Sequence, residues 1–267
     1  MSGIVLAQAG GGGGGVGCPS PPRDLGSFPD AFDFIVSERE SISGGVCIGG
    51  PAELLDLAGS HLLVSLVAMA IAIGISVPVG LYLGHFGRGE FLAVSVSNVG
   101  RAVPSLALLA FFVAFLGIGF TNVVFVLTLL AIPPILTNTY VGVRQVDRES
   151  VDAARGVGLS EGQIVRKIEM PMALPTIFGG IRTSAVAVVA TATIAPLANV
   201  RSLGNPIVEP QTYGDAGQLG AAIVVALITL AVDLALGVVQ RAVTPAGLKR
   251  QTRPRQKRFS IPVLRRT

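Results

Sequence analysis

An all-α, polytopic bundle of about five membrane-spanning helices is the fold this sequence predicts, and three observations predict it. Of 267 residues, 51% are apolar and 13% charged, with a mean hydropathy of +0.68, well outside the range of water-soluble domains. The apolar residues fall in long uncharged blocks, and a helix needs about 20 of them to cross hydrocarbon. Lysine and arginine crowd the loops of one side, as cytoplasmic loops do.

Each block is justified in turn. LLVSLVAMAIAIGISVPVGLYL, residues 62–83, is one span, and PAELLDLAG before it reads as a short helix lying along the outer interface. No charge appears from 102 to 143, too long for one crossing, and GIGFTN at 117–122 interrupts the run, so it reads as a helical hairpin. Residues 173–198 form a fourth span containing Arg182, and AAIVVALITLAVDLALGVV from Ala221 a fifth containing Asp233.

Counting basic residues sets the orientation. With the N-terminus outside, inner segments carry Arg88, then Arg144, Arg148, Arg155, Arg166 and Lys167, then nine more from Arg241 onward; outer segments carry Arg23, Arg39 and Arg201. Fifteen against three places the C-terminus in the cytoplasm.

Three regions follow. Residues 1–53 are expected to be a flexible, acidic, extracytoplasmic segment without a core, with a glycine run at 10–15. Its IVLAQA stretch is too short, and lacks the basic start, for a cleaved signal peptide. Cys18 and Cys47 both lie there, and a disulfide and two separate thiols are equally compatible with the sequence. Residues 54–242 form the transmembrane domain, with a cytoplasmic loop at 144–172. Residues 243–267 are a basic tail, a positive-inside anchor in which each cation near anionic lipid adds about 1 kcal/mol.

The loop is unusually ordered. Asp147 to Arg155 is helix-compatible, and Ala153 and Ala154 present the smallest surface a helix offers. Gly156 and Gly158 break that helix, Gly158 being free to turn left-handed. SEGQ at 160–163 has the form of a capping box that starts a second short helix, which Pro171 is expected to end. Helix, turn, helix makes a rigid bent knob; an interfacial helix resting on lipid is the alternative, disfavoured because the face is weakly apolar.

The spacing resembles the permease signature of bacterial ABC importers: Glu-Ala-Ala, three residues, Gly, nine residues, Ile-x-Leu-Pro. Here it reads Asp152-Ala153-Ala154, Gly158, then Ile168-Glu169-Met170-Pro171, with Asp for Glu and Met for Leu. RAVPSLALLAFF (101–112), IPPILTNTYVGVRQVD (132–147) and GGIRTSAVAVVATATIA (179–195) are similar to permeases that import glycine betaine, choline, carnitine and relatives. Such permeases often carry GAGGLG after the fourth span; this chain keeps only Leu203-Gly204 of it.

The resemblance implies a type I ABC importer permease fold in the bacterial inner membrane. Asp152, Ala153, Ala154, Gly158, Ile168 and Pro171 would couple to a separate ABC ATPase subunit, with a second permease copy or paralogue and an extracytoplasmic binding protein completing the importer. Nothing matches Gly-x4-Gly-Lys-[Ser/Thr], so no cofactor is expected on this chain and ATP-Mg belongs to the partner. No nucleic-acid partner, metal site or catalytic residue is expected.

Pro78, Pro104, Pro133, Pro134 and Pro196 interrupt spans, and Ser105, Asn138 and Thr139 sit beside such breaks, either lining a pathway or satisfying carbonyls freed by proline. Tyr140 is a further candidate contact, although without Trp and with three Tyr the chain is poorly equipped to cage a quaternary amine. Arg101, Arg182 and Asp233 are charges in or near spans, and snorkelling or pairing is expected of them. A permease for another small solute such as an amino acid is the alternative, with a self-contained channel or secondary transporter behind it. His61 and His85, without paired carboxylates, disfavour an intramembrane hydrolase.

Overall fold

The computed structural model describes residues 18, 28–88, 95 and 103–244. Arg101, the glycine run and the basic tail lie outside these residues. Two compact units divide the chain: Met1–Leu63 with Thr193–Leu227, and Val64–Ala192 with Ile228–Thr267.

The helices are α1 (Phe28–Val36), α2 (Gly50–Phe86), α3 (Ser105–Leu116), α4 (Phe120–Arg144), α5 (Arg148–Gly156), α6 (Glu161–Ala198), α7 (Asn205–Val208) and α8 (Pro210–Val243), with a hairpin of β1 (Glu38–Glu40) and β2 (Cys47–Gly49) between α1 and α2. Among the described residues four helices, α2, α4, α6 and α8, are long and apolar enough to cross a membrane. The expected second span corresponds to α3, whose 12 residues reach about 18 Å at 1.5 Å per residue. The break expected at GIGFTN is present: Gly117 and Gly119 take positive φ values of 72° and 127°, and α3 returns against α4 with the rings of Phe112 and Phe125 4.8 Å apart.

One expectation fails at the start of α2. PAELLDLAG is no separate interfacial helix but the first turns of a continuous 37-residue helix. Pro51 is tolerated in the first turn, and nothing between it and Leu62 stops the backbone from propagating.

In the first unit, residues 28–49 are folded rather than flexible. Phe34 is fully buried, its ring meeting Tyr213 edge-on at 6.2 Å and lying 5.2 Å beneath the Arg39 guanidinium. Arg39 donates to the Tyr213 carbonyl at 3.0 Å, and the Tyr213 hydroxyl donates to Glu53 at 2.8 Å. The core missing from the local sequence is supplied by residues more than 150 positions away. Cys18 and Cys47 form a disulfide, which resolves the pairing in favour of the bridge. Leu203 and Gly204, the retained part of the glycine element, are both buried.

In the second unit, α4 is the central helix. Gly80 and Gly84 let α2 approach it so closely that a Cβ on either would fall within 2.7 Å of Thr139 or Val143, as small residues do where membrane helices pack. Gly180 does the same for α6 against Asn138. Around Pro133 and Pro134, neighbouring helices reach in with hydroxyls: Ser184 donates to the Ala131 carbonyl at 2.8 Å and Ser76 to that of Ile132 at 3.4 Å. Interhelical hydrogen bonds of this kind contribute about 0.6 kcal/mol each.

Candidate functional site

The knob begins at Asp147, the N-cap of α5, whose carboxylate accepts from the amides of Glu149 and Ser150, both at 3.3 Å. After α5, Gly158 turns with φ 86°, in the left-handed region that a side chain would strain. The expected capping box forms, Gln163 Oε1 accepting from the Ser160 amide at 2.9 Å.

The second helix does not end at Pro171. α6 passes through one π-helical turn at Val165–Glu169 and continues as the span itself. A proline inside a helix lacks the amide for its own bond and crowds the carbonyl four residues back; the wider π turn directly before Met170 and Pro171 relieves both demands locally. The knob is therefore one free helix folded back on the stem of a span, a stiffer lever than two short helices.

Packing holds it closed. Val151 and Ala154 of α5 bury against Val146 and Ile164, with Leu159, Ile168 and Met172 alongside. On the outside, Arg155 bridges Asp152 at 3.1 Å and Glu161 at 2.9 Å. Beneath, the end of α2 is latched on: His85 Nδ1 lies 2.7 Å from Glu169 and Nε2 3.0 Å from Glu161. His85 and Glu169 are both buried.

The six predicted coupling residues separate by exposure. Asp152, Ala153 and Gly158 are exposed on the knob; Ala154 is buried within it, and Ile168 and Pro171 are half-buried in its base. The small side chain of Ala154 lets α5 lie on its own stem.

The four predicted pathway residues are less uniform. Ser105 is the first residue of α3 and half-buried. Asn138 donates to the Pro134 carbonyl at 2.8 Å and Thr139 to that of Ile135 at 2.7 Å, bonds to the carbonyl four residues back in the same helix. The carbonyls freed by the two prolines are instead those of Leu129 and Leu130. Thr139 and Tyr140 are buried, facing neighbouring helices.

Sequence reasoning missed the His85 latch and left the partners of Arg182 and Asp233 unspecified. These two pair with each other: Arg182 donates Nε–H to Asp233 Oδ1 at 3.0 Å, Nη2–H to Oδ2 at 2.8 Å and Nη1–H to Gln240 Oε1 at 3.1 Å. Gln240 donates in turn to the Pro175 carbonyl at 2.7 Å. A charge inside a span was the only signal available for this cluster.

The described residues form a helical membrane bundle with a braced knob at one end of its spans. Residues 76–246 match the family described as "Binding-protein-dependent transport system inner membrane component", and the chain belongs to it: a multi-span inner-membrane permease of ABC importers. It is 34% identical over 199 residues to the choline transport system permease protein OpuBB of Bacillus subtilis (strain 168), covering 74% of this chain and 92% of the relative. It is 34% identical to the glycine betaine/carnitine/choline permease OpuCB of the same organism, with 74% and 91% covered. Against the carnitine permease OpuCB of Listeria monocytogenes the figures are 36%, 73% and 90%. Its fold is shared with a methionine ABC transporter solved in inward-facing conformations, with a TM-score of 0.63 at 21% identity over 73% of this chain and 98% of that one.

Proposed function

We propose that this chain is the permease subunit of an ATP-driven importer that carries quaternary-amine osmoprotectants such as glycine betaine or choline into the cytoplasm. Its similarity to choline, carnitine and glycine betaine permeases over nearly three quarters of its length carries this reading. The N-terminus lies outside and the knob inside, in keeping with the distribution of lysine and arginine.

Function requires partners: a second permease copy or paralogue to enclose the route, a soluble ATPase holding ATP-Mg, and an extracytoplasmic binding protein that delivers substrate. Asp152, Ala153 and Gly158 form the surface the ATPase grips; Ala154, Ile168 and Pro171 transmit its motion. Because α6 is continuous from knob to span, a displacement of α5 is delivered to the membrane region without a hinge in between. The loaded binding protein and ATP shift the balance between inward- and outward-facing forms through their different affinities for the two.

Reconstitution into proteoliposomes with the ATPase and binding protein tests this. Labelled glycine betaine or choline should accumulate only with ATP. Uptake that survives without nucleotide, or accumulation of amino acids in place of quaternary amines, overturns it.

A further inference from the structure

The Arg182–Asp233 pair lies in the wrong place for a simple staple. Met172 packs in the base of the knob, and Arg241 is the first charge after Asp233 on α8. Counting at 1.5 Å per residue, Arg182 stands about 15 Å beyond Met172 and Asp233 about 12 Å before Arg241. In a hydrocarbon layer about 30 Å thick, both fall near the midplane.

At that depth the side chains of Arg182 and Asp233 remain 33% and 30% exposed. They border an open hollow of about 400 Å³ lined by Gly179, Arg182, Thr183, Val186, Asp233 and Gln240, a size typical of small-molecule sites. Ion pairs at the centre of a bilayer face protein or water, because hydrocarbon leaves their remaining hydrogen-bonding capacity unmet. The hollow is therefore expected to open on protein or water rather than on lipid.

We propose that this hollow is a substrate subsite selective for small zwitterions, with Arg182 receiving the ligand's carboxylate and Asp233 facing its cationic nitrogen. A guanidinium has five N–H groups. Three are engaged by Asp233 and Gln240, leaving two, among the described contacts, for a carboxylate. Asp233 supplies the negative charge that a quaternary nitrogen needs where no aromatic cage lines the hollow. A ligand with both charges enters without changing the net charge of a low-dielectric site, whereas a lone cation or anion leaves one charge uncompensated. The site rests on the transport reading and adds to it a preference for betaine-like over choline-like substrates at this step.

Both cysteines of the chain are held in the disulfide, so Thr183→Cys gives this chain a single reporter thiol, placed in the hollow and followed by labelling of this subunit within the assembled transporter. It should react with a membrane-impermeant, water-soluble thiol reagent, and millimolar glycine betaine should slow the reaction about tenfold while choline does not. Labelling only by a lipid-soluble maleimide places the hollow in hydrocarbon and overturns the proposal. So does aqueous labelling that neither glycine betaine nor proline slows, and so does equal protection by choline. Protection by proline but not by glycine betaine keeps the zwitterion site and overturns the quaternary-amine reading instead. The double variant Arg182→Met/Asp233→Leu supplies a second readout: the complex assembles with wild-type yield, and glycine betaine uptake falls about tenfold or more. Wild-type uptake by that variant reduces the pair to a staple.

Discussion

The second unit holds two polar clusters that use charge in opposite ways. At the knob, His85 and Glu169 are sealed from solvent and every ring nitrogen meets a carboxylate; the cluster holds one geometry between the end of α2 and the base of α6. In the middle of the spans, Arg182 and Asp233 are equally well paired yet a third exposed, beside a hollow. Completeness of hydrogen bonding does not separate structural from functional polar groups. Access does: a sealed pair fixes shape, and an open one meets whatever enters.

Four experiments break or sharpen this contrast. The largest effect belongs to the sealed cluster. Glu169→Ala removes a buried partner and should cost about 3 kcal/mol, read as a lowered thermal transition and loss of stimulated ATPase activity in the assembled importer, while Glu169→Gln keeps an acceptor and recovers most of both. Next, Arg182→Met alone strands a carboxylate at membrane depth and should lower the thermal transition. Adding Asp233→Leu should restore the transition; if it does not, the open pair is as architectural as the sealed one and the contrast fails.

Smaller again is Gly158→Ala, which forces a side chain into a left-handed backbone at φ 86° for about 1 kcal/mol. Faster hydrogen exchange across α5, with α4 unchanged, is the expected signature. Least disruptive to the fold is Asp152→Ala. Its bridge to Arg155 joins two exposed side chains and adds little to stability, so the thermal transition should stay put. Retention of the ATPase on co-purification should nevertheless fall, because that surface is the proposed grip.

Much of this was legible in the chain. The spans, the break at Gly117 to Gly119 and the turn at Gly158 follow from local composition, since apolar length and left-handed glycines act where they stand. Pro171 misled because its local effect is real: it does disturb the helix, but a π turn absorbs the disturbance when a long span lies beyond. The N-terminal segment misled for the complementary reason, because Phe34 finds its core in Tyr213, at the far end of the sequence. Of the ten predicted site residues, those on the knob kept their arrangement, as spacing along a helix–turn–helix is itself local. Thr139 and Tyr140 turned inward while Asn138 stayed half-buried, since the side of a helix that faces a neighbour depends on that neighbour.

What the sequence determined by itself is the apolar blocks and the knob between two of them, because hydrocarbon thickness and backbone hydrogen bonding act on contiguous residues. Tertiary structure alone decided which charges meet: His85 with Glu169 across 84 positions and Arg182 with Asp233 across 51. An ion pair is stabilised by a few ångströms of separation, and that distance exists only after the helices have packed.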